Sequence, residues 1–229
     1  MLPGSRRSGP DGCRPKMILN ANFVPPRRSP RNGFSLVELV LSLAVLLVIT
    51  TLAIPVVVRS LQAYQLNSTA SQLAGMIKFT KFDAIRQNTH VSFQILQNGT
   101  NWIVWADSNG DLAPDGAEPQ MVISGSNTLL PAGSVPSPNP IIATLGAGSS
   151  LYTWTVLSGS NGSIIYDQRG VVVAPPPGGG PLVTATTIFA LYLGNPNDPN
   201  DGYRAVITLP SGAVQVWTTS SAGNWQRVS

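Results

Sequence analysis

The stretch RNGFSLVELVLSLAVLLVITTLAIPVVVRS, residues 31–60, decides how the rest of the chain is read. From Phe34 to Val58 it is a 25-residue run, apolar except for Ser35, Glu38, Ser42, Thr50, Thr51 and Pro55. As a helix rising ~1.5 Å per residue it is long enough to cross a hydrocarbon layer of ~30 Å. A glycine, Gly33, stands just before the run, and a glutamate, Glu38, stands inside it. An acid deep in a membrane helix costs roughly 2.5–3.5 kcal/mol, so by default it has a partner or a task.

Three readings of this segment compete: a secretion signal, a permanent anchor, and the processed N-terminus of a filament subunit. A secretion signal finds a passable small-residue cleavage site at Thr51-Leu52-Ala53. Neither it nor a plain anchor has any use for Glu38. Cleavage between Gly33 and Phe34 would create an α-amino group four residues before Glu38. In an assembly of parallel helices, that glutamate can meet the amine of a neighbouring subunit. The two desolvated charges then compensate each other and fix the axial register. Gly33 has no side chain to obstruct a peptidase.

Gly33-Phe34-Ser35-Leu36-Val37-Glu38 followed by the apolar run resembles the class III signal of type IV pilins and type II secretion pseudopilins. The resemblance implies cleavage after Gly33 by a prepilin peptidase and N-methylation of Phe34. It also implies a single-pass subunit of the bacterial inner membrane that lies in lipid before assembly. Its C-terminal domain would be periplasmic. An inner-membrane assembly platform would then build it, with other pilin subunits, into a filament. The leader, residues 1–33, is long for this family, and Met17 is a candidate internal start. Pro55 is residue 22 of the mature chain so defined, where pilins commonly carry a helix-loosening proline. A proline there removes a backbone donor and crowds the carbonyl of Thr51, so a bend or melted turn is expected.

The sequence pI near 9.6 invites a nucleic-acid reading that the charge distribution does not support. Seven basic residues and one acid precede Phe34, whereas the remainder carries seven basic and nine acidic residues, a formal net of −2. Basic residues beside an apolar span mark the side kept in the cytoplasm. The single cysteine, Cys13, is also in the leader, so the exported part has neither a disulfide framework nor a cysteine metal site.

Beyond Val58 the apolar residues Leu66, Ala70, Leu73, Ala74 and Ile77, then Ala84 and Ile85, recur at helical spacing. The expected α+β architecture is a long N-terminal helix whose first half, 34–58, is membrane-embedded. Its amphipathic continuation, 59–88, packs on an antiparallel β-domain, 89–229. If straight, the helix from Phe34 to about Arg86 would reach ~80 Å, and Gln87-Asn88 is its expected stop. Strands are expected at 91–95 and 102–105 around an Asn98-Gly99 hairpin, and at 152–157, 163–173, 186–193, 203–209 and 213–218. Flexible loops are expected near 131–150 and 174–182.

This downstream chain resembles the GspH/FimT branch of the pilin superfamily. Ala84-Ile85-Arg86-Gln87-Asn88 is similar to its helix end, and Tyr166-Asp167-Gln168-Arg169-Gly170 to its central turn. Tyr203-Arg204-Ala205-Val206 with Pro210-Ser211-Gly212 is similar to its closing hairpin. The resemblance implies a non-enzymatic minor pilin or pseudopilin of a secretion pseudopilus or a type IV pilus. A DNA-binding pilin of an uptake apparatus, or a secreted or anchored binding module, is the alternative.

The sequence offers residues for three kinds of chemistry. Asp107, Asn109, Asp111 and Glu118 occupy positions one, three, five and twelve of a calcium-type loop. Leu112 stands where such a loop has its turn glycine, and a plain polar turn accounts for the same composition. No cofactor is expected otherwise. DNA-uptake relatives carry Gly-Arg-x-Arg near the C-terminus; here Gly212-Ala213-Val214-Gln215 lacks both arginines, leaving Arg204 and Arg227. Two guanidinium groups on a net-acidic domain make a poor phosphate surface, and Trp217 and Trp225 are read as sheet packing. His90 is the lone histidine, and no nucleophile elbow, phosphate loop or zinc-protease motif occurs.

Overall fold

The computed structural model describes residues 33–145, 151–153, 161–176 and 178–228. The basic leader with Cys13 and Met17, and the end of the strand expected to reach Leu157, lie outside the described residues. The chain divides into two units, one ending at Leu47 and one beginning at Val48.

In the first unit, helix α1 (Leu36–Gln87) begins with the N–H of Leu39 donating to the Ser35 carbonyl at 3.1 Å. Every side chain from Phe34 to Leu47 is exposed, Glu38 among them in the first helical turn. The helix is long and apolar enough to cross a membrane. In the second unit α1 stays exposed through Val58, and Pro55 does not interrupt it. The melted turn expected at Pro55 is therefore absent. Residue 55 lacks only one donor, and the flanking turns keep their own hydrogen bonds.

Farther along, α1 acquires a buried face: Leu66, Ala70, Leu73, Ala74, Ile77, Thr80, Asp83 and Ala84. These positions recur with the 3.6-residue period of one helical stripe. Ile85 was expected in that stripe but is exposed, because one residue beyond Ala84 turns it ~100° away. The helix stops as the sequence suggests. Asn88 takes a left-handed φ of 53° and donates to the Ile85 carbonyl, and the Thr89 N–H donates to the Ala84 carbonyl. Together these two bonds are a Schellman closure that satisfies the last carbonyls.

Among the described residues the strands form two sheets. The first runs β3 (Gln120–Ile123), β2 (Asn101–Asp107), β1 (Val91–Asn98), β6 (Asn161–Tyr166), β7 (Val172–Ala174), β8 (Val183–Thr184). The second runs β12 (Gln226–Arg227), β11 (Val214–Thr219), β10 (Tyr203–Thr208), β9 (Ile188–Gly194), β4 (Thr128–Leu130). All of these pair antiparallel, but β5 (Leu151–Thr153) joins β9 in parallel. The first hairpin is as expected except for its centre. The register pairs Asn98 with Asn101, so Gly99 and Thr100 form the turn, with Gly99 at φ 64° and Thr100 not on the positive side. That is the pattern of a type II′ turn, with glycine at the first central position.

β9 is buried along its whole length because both of its faces are covered. Phe189, Leu191 and Leu193 face the core shared with Leu66, Leu73 and Ile77 of α1 and with Phe93, Val104 and Ile164 of the first sheet. Ile188, Ala190 and Tyr192 face a second core with Ala205, Ile207, Trp217 and Trp225. The segment expected to be a flexible loop lies over this second core. It folds into a 3₁₀ turn, Ala132–Ser134, and helix α2, Asn139–Leu145, whose Ile141 is fully buried. Pro140 sits early in α2, where a missing N–H costs nothing. Pro and Ser spacing looked like a connector because one short apolar pair, Ile141-Ile142, is too little to display a period.

Candidate functional sites

The three C-terminal segments that carry the family resemblance meet at one place. Asp167 is buried and organises the turn after β6. Its Oδ1 accepts the N–H groups of Arg169 and Val171, both at 2.9 Å, and its Oδ2 accepts Arg169 Nε at 2.8 Å. Burial alone would raise this carboxyl's pKa, but those donors and the Arg169 charge hold it below its ordinary value. Gly170, at φ 74°, then lies against Gly212 of the β10–β11 turn, also at φ 74°. A methyl group on Gly212 would stand 2.0 Å from the Gly170 carbonyl oxygen. Lys81 of α1 donates to the Gly212 carbonyl at 3.2 Å. Helix end, central turn and closing hairpin thus form one backbone-packed junction.

The helix end is also tied to the β2–β3 loop. Asp83 is buried; Arg86 donates to its Oδ1, while Gln87 and Ser108 donate to its Oδ2 at 2.7 and 2.6 Å. Desolvation pulls its pKa upward, and these hydrogen bonds with the Arg86 charge more than reverse it. Asp83 is thus ion-paired with Arg86, 2.6 Å apart, as Asp167 is with Arg169, 2.8 Å apart.

The loop that follows Ser108 gathers the residues read as calcium-type positions. Oxygen atoms of Asp107, Asp111 and Glu118 all lie within 4.8 Å of one another. Asn109 is drawn in as well, donating from Nδ2 to Asp111 at 3.0 Å and to Asp115 at 3.3 Å. Leu112, which stands in for the turn glycine, nevertheless adopts φ 62°, the left-handed conformation glycine would supply. Asp115 escaped the sequence reading although it occupies position nine of the same spacing; counting every odd position would have found it. Burial raises the Glu118 pKa; the Ser108 and Asn109 N–H groups oppose this, and the charges of Asp107 and Asp115 add to it.

Arg204 is the clearest correction. As a candidate phosphate contact it had to be exposed, but it is 7% exposed on the helix-facing side of β10. Its Nε donates to Asn67 of α1 at 2.5 Å and its Nη1 to its neighbour's carbonyl at 2.9 Å. Burial pushes the guanidinium pKa down. It is a helix-to-sheet tether. Arg227 is exposed on β12, alone of the pair. Trp217 and Trp225 pack in the second core, as expected, and the Trp225 Nε1 donates to the Pro136 carbonyl at 3.2 Å. His90 is exposed just before β1.

With this geometry in place, two comparisons fall on its two parts. Residues 28–54 match the prokaryotic N-terminal methylation motif, and residues 69–226 match the family described as type II transport protein GspH. The chain belongs to the GspH family. As a GspH-family subunit it is a minor pilin or pseudopilin, a structural protein and not an enzyme. Family membership carries with it prepilin processing and association with other pilin subunits, and α1 suits a membrane-anchored pilin. No curated protein matches the sequence. Among solved structures, the type IV minor pilin FimU of Pseudomonas aeruginosa (strain PAO1) is similar at 15% identity. That alignment covers 72% of this chain and 93% of FimU, with a TM-score of 0.40.

Proposed function

We propose that this GspH-family subunit is cut after Gly33, methylated at Phe34, and built into a type II secretion pseudopilus or type IV pilus through pairing of Glu38 with the N-terminal amine of a neighbour. The observation that carries the reading is Glu38 itself. It is exposed in the first turn of α1, amid exposed side chains of Phe34, Leu36, Val37, Leu39 and Val40. In a packed helical core that carboxylate needs a cation, and the amine released by cleavage is the one the sequence places at the right height. The inner membrane holds the subunit beforehand, with the β-domain on the periplasmic side, in contact with the assembly platform and then with other subunits.

Glu38→Ala tests the pairing. The variant is expected to be processed like wild type, since the cleavage junction is untouched. Its incorporation into sheared filaments should fall by about tenfold or more, because a desolvated amine is left without its counter-charge. Wild-type incorporation of the variant would remove the pairing from the account.

A further inference from the structure

The β2–β3 loop has a feature that neither filament assembly nor the fold requires. Glu118 is buried, 8% exposed. Its Oε1 accepts the Ser108 N–H at 2.7 Å and the Asn109 N–H at 3.4 Å. Its Oε2 is fully buried and, among the described residues, has no hydrogen-bond partner. Ionised, that oxygen is an unsatisfied buried acceptor. Such atoms are rare because each forfeits its hydration without return. Hydrogen bonding within the protein therefore leaves the Glu118 carboxylate incomplete.

We propose that residues 107–118 bind one calcium ion, with Asp107, Asp111 and Glu118 as its carboxylate ligands. The three side chains already bring one oxygen each within 4.8 Å of the others. Three oxygens so spaced have a common centre at most about 2.8 Å from each, so a movement of a few tenths of an ångström brings all three to the 2.3–2.6 Å of Ca²⁺ ligands. Residues 107–118 hold four carboxylates, those of Asp107, Asp111, Asp115 and Glu118, and no basic residue. Hard oxygen donors with that excess of negative charge suit Ca²⁺, whose coordination is flexible. Mg²⁺ demands shorter, near-octahedral bonds and gives up water reluctantly.

The remaining capacity of each ligand is consistent with such an ion. Asp107 Oδ1 accepts Gly110 N–H at 2.7 Å and Oδ2 accepts Ser92 Oγ at 3.2 Å, which leaves each oxygen a second lone pair. Asp111 Oδ1 accepts Ala113 N–H at 2.9 Å, and Asp115 Oδ1 is committed to the N–H groups of Ala117 and Glu118. Asp115 stands at position nine, which in calcium loops commonly reaches the ion through water. The Ser108–Asp83 bond fastens the start of this loop to the end of α1, so occupancy of the site stiffens the junction of helix and sheet.

The test uses the full chain in detergent, stripped with a chelator and titrated with calcium chloride by calorimetry, with thermal unfolding followed in parallel. One ion per chain should bind, with an affinity between about 10 μM and 1 mM, and raise the unfolding midpoint; equimolar magnesium should do neither. Asp111→Asn, at an exposed position, should weaken binding about tenfold and shrink the calcium-induced rise of the midpoint accordingly. Glu118→Gln keeps an acceptor for Ser108 N–H and should weaken binding further. Absence of saturable calcium binding in the wild type would overturn the proposal. So would binding of unchanged affinity in the Asp111→Asn variant, whatever becomes of Glu118→Gln.

Discussion

Replacing Gly212 by alanine should be among the most damaging single changes in the β-domain that removes no side chain. Two separate costs follow from its surroundings. Its φ of 74° lies in the left-handed region, where an L-residue with a Cβ costs about 1–2 kcal/mol. The added methyl would also sit 2.0 Å from the Gly170 carbonyl oxygen, so one of two backbone turns has to move. Overpacking against atoms that cannot rotate away costs about 1–3 kcal/mol. Moving either turn also disturbs the Val172 N–H bond to the Pro210 carbonyl and the Lys81 bond to Gly212. The sum is about 3 kcal/mol. Gly99→Ala supplies the control, since Gly99 has φ 64° but, among the described residues, nothing within 4 Å of the new methyl. It should cost only the conformational part, about 1–2 kcal/mol. Urea unfolding of the full chain in detergent, followed by fluorescence of buried Trp102, Trp105, Trp217 and Trp225, reads both. If Gly212→Ala costs no more than Gly99→Ala, the close approach of the two turns is wrong.

Two further outcomes follow from the buried charges. Asp167 holds its pKa below the usual 3.8, so its stabilisation is present above that value and is lost as pH falls through the lower folded value. Asp167→Asn should therefore cost about 2 kcal/mol at pH 7 and flatten the acid limb of stability against pH; an unchanged acid limb would contradict this. Arg204→Ala empties space between α1 and β10 and should cost about 2 kcal/mol, while retention of the folded protein on a DNA column stays at the wild-type level. A marked loss of retention would return Arg204 to the surface.

Much of this architecture was legible because it repeats. The stripe from Leu66 to Ala84 shows a helical period over five turns, and Asn88 could be read as a stop because it tolerates the left-handed conformation that ends the helix. The hairpin at Gly99 was visible for the same kind of local reason, though its centre fell one residue later than expected. What could not be read depended on contacts distant in sequence. Helix α2 has one buried side chain and no period of its own; it is a helix because Ile141 has a core to enter. Gly212 and Gly170 look like ordinary turn glycines until the fold sets one against the other. Arg204 sat on a strand of apolar residues, and only the approach of Asn67, 137 positions away, explains a cation there. In the acidic loop the spacing showed where oxygen-bearing side chains recur, but not that Glu118 would be buried with one oxygen unpartnered.

The central claim is that Gly33, Phe34 and Glu38 are a processing and assembly signal. The most direct test is the mass and N-terminal sequence of membrane-extracted protein, made with and without a prepilin peptidase. The account predicts a chain beginning at N-methylated Phe34 only when the peptidase is present, and an uncut leader otherwise. A start after Ala53, or an N-terminus indifferent to the peptidase, would contradict it and leave Glu38 without a role.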